Sequence, residues 1–143
     1  MNKICTSLEQ SQKLIEMGID INTADMLWTY DFTVNDINGL NVISEQLKPE
    51  ENDIPAWSLT ALMNLLPSEF TEVGKYSTTT YKIHIRKYKF TDKVDLYQIA
   101  YGNYKIYEDG SSSWKDMINT GEKENLIDAV FQMICWLKEN KKI

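Results

Sequence analysis

From residue 8 to residue 17 the apolar side chains Leu8, Leu14, Ile15 and Met17 alternate with Glu9, Gln12, Lys13 and Glu16 at helical spacing. The pattern predicts an amphipathic helix over about Leu8–Met17, one side of which lies on the rest of the protein. Thr6 or Ser7 can cap it, Glu9 or Gln10 can close a capping box, and Gly18 follows as a stop. Met26 to Phe32 is rich in β-formers and predicts a strand. Residues 33–47 are polar and turn-rich, with a short helix expected at about Leu40–Leu47, and "PEEND" at 49–53 reads as a solvated loop.

"IPAWSLTALMNLLP" at 54–67 is bracketed by prolines. Ser58 is a good N-cap, Trp57 is placed to staple onto Leu62, and Pro67 forbids continuation, so a helix is expected at about Leu59–Leu66. Leu59, Leu62, Met63 and Leu66 form its apolar stripe, with Thr60 and Asn64 opposite. So short a helix needs something apolar to lie against.

From Thr78 the period changes to two. "TYKIHIRKYKF" and "VDLYQIAYG" flank Thr91-Asp92-Lys93, a turn, and Gly102-Asn103 occupies a two-residue hairpin position that would pair Tyr101 with Tyr104 and Ile99 with Ile106. Asp109-Gly110 marks another turn before a last strand around Trp114. The chain then returns to helical spacing at about Glu124–Glu139, with Asn125 or Thr120 as cap and Lys138, Lys141 and Lys142 suited to the negative helix end. Leu126, Ile127, Val130, Phe131, Ile134, Trp136 and Leu137 cover most of its circumference, so it is expected between a sheet and another helix, residues 59–66 being the companion. The fold class expected is α+β: an antiparallel β-meander of about four strands packed on one face by a long C-terminal helix and shorter helices. With no repeat or linker in the pattern, residues 1–143 are expected to form a single domain.

A 43% hydrophobic and 25% charged composition excludes a disordered chain. The net charge of −6 argues against a wholly electrostatic hold on nucleic acid or anionic membrane. It is unevenly spread: residues 1–76 carry four cations against twelve acids, residues 77–143 eleven against nine. Any basic surface therefore comes from the second half. Cys5 and Cys135 make no disulfide framework, the N-terminus lacks a signal-peptide apolar region, and "IDAVFQMICWL" is too short to span a bilayer, so a cytoplasmic location without membrane association is expected.

The chemistry on offer is limited. His84 is the only histidine, which speaks against zinc catalysis, and its alternation with Lys82 and Arg86 reads as a solvated position on a sheet face. The glycines form no phosphate loop or dinucleotide fingerprint. "DINTAD" fails as a calcium loop because Ala24 fills the third ligand position and Asp25 replaces the required glycine. No catalytic residue, metal or cofactor is assigned, and no carboxylate pair stands out by spacing as acid and base.

Two constellations remain. Lys82, Arg86, Lys87, Tyr88, Lys89 and Lys93 interleave cations and aromatics as single-stranded nucleic-acid binders do, although lysines on an edge strand also block aggregation. Trp57, Leu62 and Leu66 fit a protein-docking helix if exposed, and core packing if not.

The blocks "TSLEQSQKLIEMGIDINTADM", "IPAWSLTALMNLLP" and "DAVFQMICWLKENKK", about a third of the chain, resemble a family of small uncharacterised proteins from anaerobic gut bacteria, often encoded in or near prophages and other mobile elements. The resemblance implies an accessory protein and carries over no activity, cofactor or site residue. The leading functional expectation is a non-enzymatic protein acting through contacts with an unidentified protein partner. Nucleic-acid binding through residues 82–93 is the runner-up, and an enzyme using carboxylates or tyrosines the third reading.

Overall fold

The computed structural model describes residues 3–143. The chain divides into two compact units, one ending at Leu65 and the other beginning at Leu66. It is an α+β protein with antiparallel sheets and a long C-terminal helix.

In the N-terminal unit, helix α1 (Leu8–Glu16) is capped by Ser7. Ser7 Oγ accepts from Gln10 N and Gln10 Oε1 accepts from Ser7 N, both at 3.1 Å, so of the alternatives offered by the sequence the box closes through Ser7 and Gln10. Gly18, at φ +84°, takes the left-handed conformation that ends the helix. A 3₁₀ turn at Ile21–Thr23 leads to strand β1 (Met26–Asp31), which is central in a sheet ordered β2-β1-β3, with β2 at Asp36–Val42 and β3 at Ile54–Ala56. Helix α1 packs beside β3.

The short helix expected at Leu40–Leu47 is not formed; residues 36–42 are β2 instead. Leu40, Asn41 and Val42 are drawn into the sheet by pairing with Trp28, Leu27 and Met26 of β1. Trp28 pairs with Leu40 while Tyr30 pairs with Ile37, so β2 carries an extra residue at Asn38–Gly39. Gly39 accommodates it at φ +105°, and Thr29 Oγ1 donates to Asn38 O at 3.1 Å. The acidic loop is solvated as expected, yet Asp53 is anchored within it, accepting from Tyr30 N at 2.8 Å and Glu50 N at 2.9 Å.

Sequence-distant segments of this unit are joined by a polar network. Thr6 N donates to Trp57 O and Trp57 N donates back to Thr6 Oγ1, while the wholly buried Thr6 and Ser11 hydroxyls bond at 2.7 Å. Trp28 Nε1 donates to Thr6 O, Trp57 Nε1 donates to Thr23 Oγ1, and Asp25 accepts from both the amide and the hydroxyl of Ser58. Ser58 Oγ in turn accepts from Ala61 N, capping helix α2 (Leu59–Leu65) as its sequence predicts.

The C-terminal unit holds the meander: β4 (Glu69–Val73), β5 (Thr78–Lys89), β6 (Asp95–Ile106) and β7 (Ser112–Asn119), antiparallel in that order. The turn at 91–94 is where the sequence places it, closed by Phe90 N donating to Val94 O. The hairpin expected at Gly102-Asn103 is absent, and β6 runs straight through it, with Tyr101 opposite Ile118 and Tyr104 opposite Trp114. Gly102 is required for close approach, not for a turn: a Cβ there would lie 2.2 Å from Lys115 O. The reversal comes at Tyr107–Ser111, where Gly110 has φ +83°.

Helix α3 (Leu126–Glu139) is capped by Asn125, whose Oδ1 accepts from Ile127 N. Thr120, the other candidate cap, is buried and instead accepts from Ile99 N. The helix lies on the face of the sheet bearing Ile99 and Tyr101, with Phe70 packed between Tyr101 and Trp136 at centroid distances of 5.1 and 6.0 Å. Tyr101 Oη donates to Pro67 O at 2.6 Å, and burial pushes its phenol well above the ordinary range. Lys142, just beyond the helix, pairs with Glu72 at 2.9 Å.

Candidate functional site

Alternation along β5 divides its side chains between two faces. Lys82, His84, Arg86 and Tyr88 point away from the face that carries Ile99 and Tyr101, and the register sets them beside Gly102, Ala100, Gln98 and Leu96 of β6. The next pairing adds Trp114 and Asp116 of β7 beside Tyr104 and Gly102. Residues thirty positions apart thus meet on the face opposite α3.

Small residues make the arrangement possible. Ala100, opposite His84, is fully buried, and a Cβ on Gly102 would come within 2.9 Å of the Trp114 ring. With that space open the indole lies flat on His84, with centroids 3.5 Å apart and planes 4° from parallel, and Tyr104 meets both rings edge-on.

Beside the rings, Arg86 grips Asp116 in two-point fashion, Nη1 to Oδ2 at 2.8 Å and Nη2 to Oδ1 at 2.6 Å. Arg86 Nη1 also donates to Gln98 Oε1 at 2.9 Å, and Tyr88 Oη donates to the same oxygen at 3.3 Å. Asp116 accepts further bonds from Trp114 Nε1 at 2.6 Å and Asn119 Nδ2 at 3.3 Å. The Arg86 guanidinium first, then Trp114 and Asn119, hold the Asp116 carboxyl down at about 2 against the opposing effect of partial burial. A carboxylate this acidic and this fully engaged is a poor general base at neutral pH and a good structural anchor. The outcome is a sheet face with oriented aromatic rings, an arginine and a carboxylate that neutralise each other, and exposed flanks in Tyr88 (41%) and Tyr104 (62%).

The six residues singled out from the basic aromatic stretch do not come together. Lys82, Arg86 and Tyr88 share this face, Lys87 and Lys89 are on the opposite one, and Lys93 is in the 91–94 turn. Arg86 is neutralised by Asp116, while Lys87 is 3.5 Å from Asp95 at an exposed position. The edge-strand reading applies to half of β5: β4 pairs with residues 78–82, and among the described residues no strand pairs with 84–89 on that side. His84 is on the sheet face as expected, but it is half-buried against Trp114 and not simply solvated. Trp57 and Leu62 are fully buried, and Leu66 is half-buried, so Trp57 and Leu62 present no surface for docking.

Tyr104, Trp114, Asp116 and Gln98 were not distinguished by the sequence reading. The available signal was the period of two in "SSSWKDM", which sets Trp114 and Asp116 on one face, but their partners required the register. Among the described residues no group of three or more His, Cys, Asp or Glu is placed to hold a metal ion, and no helix is long and apolar enough to cross a membrane. Comparison with protein families, curated proteins and solved structures finds no match to this chain.

Proposed function

We propose that this chain is a non-enzymatic interaction protein that binds a protein partner through the Tyr88–Gln98–Arg86–Asp116–Trp114–Tyr104 face of its four-stranded sheet. The observation that carries this reading is the concentration there of tyrosine, tryptophan and arginine in fixed orientations, since these residue types dominate the energetics of protein interfaces. Rings held by stacking and an arginine held by two-point bonding lose little freedom on binding. The cytoplasmic location and the role as an accessory protein of a mobile element belong to this proposal, the latter resting on the sequence resemblance.

The second reading, single-stranded nucleic acid, is favoured by the same rings, on which bases can stack. It is weakened by the charge arrangement: Arg86 is committed to Asp116, and Lys87 and Lys89 face away.

The test is affinity capture from the native host at moderate salt with the wild-type chain and a Tyr88→Ala/Tyr104→Ala variant, both positions being exposed. The expected result is a specific protein retained by the former and lost by the latter. Equal retention by both, or none, overturns the proposal. Retention on single-stranded DNA that falls steeply with salt and with Tyr104→Ala would instead establish the second reading.

A further inference from the structure

On the face that carries Ile99 and Tyr101, Phe70 pairs with Tyr81 and Asn103 with Lys115, while Lys82 pairs with Gly102, so Tyr81, Asn103 and Lys115 form one row across β5, β6 and β7. The register of β7 shifts here, from Asp116 opposite Gly102 to Ile118 opposite Tyr101, leaving Met117 as an extra residue. A bulge bends its strand and opens a concavity. The resulting depression, about 420 Å³, is lined by Tyr81, Asn103, Lys115, Asp116 and Met117. Its volume is in the range of small-molecule sites.

Three of the lining side chains end in polar groups that have no hydrogen-bond or ion-pair partner among the described residues: the Tyr81 hydroxyl, the Asn103 amide and the Lys115 ammonium. All three can donate, and the ammonium can only donate. The one acid in the lining, Asp116, borders the depression at the bulge, while its carboxylate is held by Arg86 on the other face of the sheet and does not repel an anion. Met117 and the Tyr81 ring supply an apolar wall.

We propose that this depression binds the oxyanion group, carboxylate or phosphate, of a small molecule, with Lys115 as its counter-charge and Asn103 and Tyr81 as orienting donors. Apart from Asp116 the site shares no residue with the interaction face, and its test needs no protein partner. The full chain is titrated with inorganic phosphate and, separately, with acetate, while the backbone amide signals of Asn103 and Lys115 are followed by NMR. Saturable shifts confined to the bulge are expected. Lys115→Gln, an exposed position where the fold is undisturbed, should weaken them about tenfold, the worth of one charge-assisted hydrogen bond, while Lys105→Gln leaves them unchanged. Tyr81→Phe, which removes only a hydroxyl, should weaken them less. Saturation by phosphate alone identifies a phosphoryl ligand, and saturation by acetate as well identifies a carboxylate as sufficient. Failure of both anions to saturate, or equal affinity in Lys115→Gln, overturns the site.

Discussion

In the N-terminal unit Thr6 and Ser11 are wholly buried and bond to each other and to Trp57. In the C-terminal unit Arg86 and Asp116 keep 24% and 23% of their side-chain surface in water and bond to Gln98 and Trp114 on a sheet face. Both networks join segments far apart in sequence and both recruit an indole N–H, but water has different access to them. When a buried hydroxyl is removed its partners are orphaned, whereas at a surface water replaces much of what is lost. The first network therefore serves the fold, and the second is free to arrange a surface.

The sharpest test of this contrast goes beneath the surface network. Gly102→Val places carbon where Lys115 O and the Trp114 ring already lie, and the clash with backbone cannot be relieved by a rotamer change. We expect a loss of about 3 kcal/mol in urea unfolding. An unchanged midpoint would mean that β7 slides freely past Gly102 and that the Trp114 stack is not fixed by the register.

Next in size is Thr6→Val, which keeps the shape but leaves Trp57 N–H and the Ser11 hydroxyl without their partner. A cost of about 2 kcal/mol is expected. Arg86→Gln, measured in the same way, should cost about 1 kcal/mol or less, because a two-point pair with a quarter of its surface in water is screened. If Arg86→Gln proved the costlier of the two, the contrast between a fold-serving and a surface-arranging network would be broken.

The smallest effect is on pH dependence. Asp116 is held at about 2, below the ordinary value of about 3.9. Its contribution to stability is fully present above about pH 4 and is lost as the pH falls through about 2, since the unfolded chain takes up the proton first. The stability gap between wild type and Asp116→Asn should therefore close between about pH 4 and 2, followed by circular dichroism. In Arg86→Gln the Asp116 carboxyl should titrate closer to its ordinary range, as read from its carbon-13 shift.

The tests also bear on how the sequence encodes each unit. The blocks "TSLEQS", "TADM" and "IPAWSLT" supply Thr6, Ser7, Gln10, Ser11, Thr23, Asp25, Trp57 and Ser58, and these are the residues of the cap and of the buried network. The caps within these blocks were readable because capping is local. The cross-links among Thr6, Trp57, Thr23 and Asp25 were not, because nothing in a linear pattern says which segments meet. The aromatic face of the larger sheet was less readable still, since its basic stretch appeared as one cluster until the period of two separated Lys82 and Arg86 from Lys87 and Lys89.

By itself the sequence determined the three helices and their stops, the hairpin turning at 91–94 and the turn at Asp109-Gly110, because capping boxes, left-handed glycines and periodicity act over a few residues. Only the tertiary structure decided the rest. Pairing with β1 drew Leu40–Val42 into a strand, and Gly102 looked like a turn because a glycine needed for close approach is written with the same letter as one needed for positive φ. The joining of Arg86 to Asp116, and of His84 to Trp114, depends on strand register, which is set by how whole strands bury their faces.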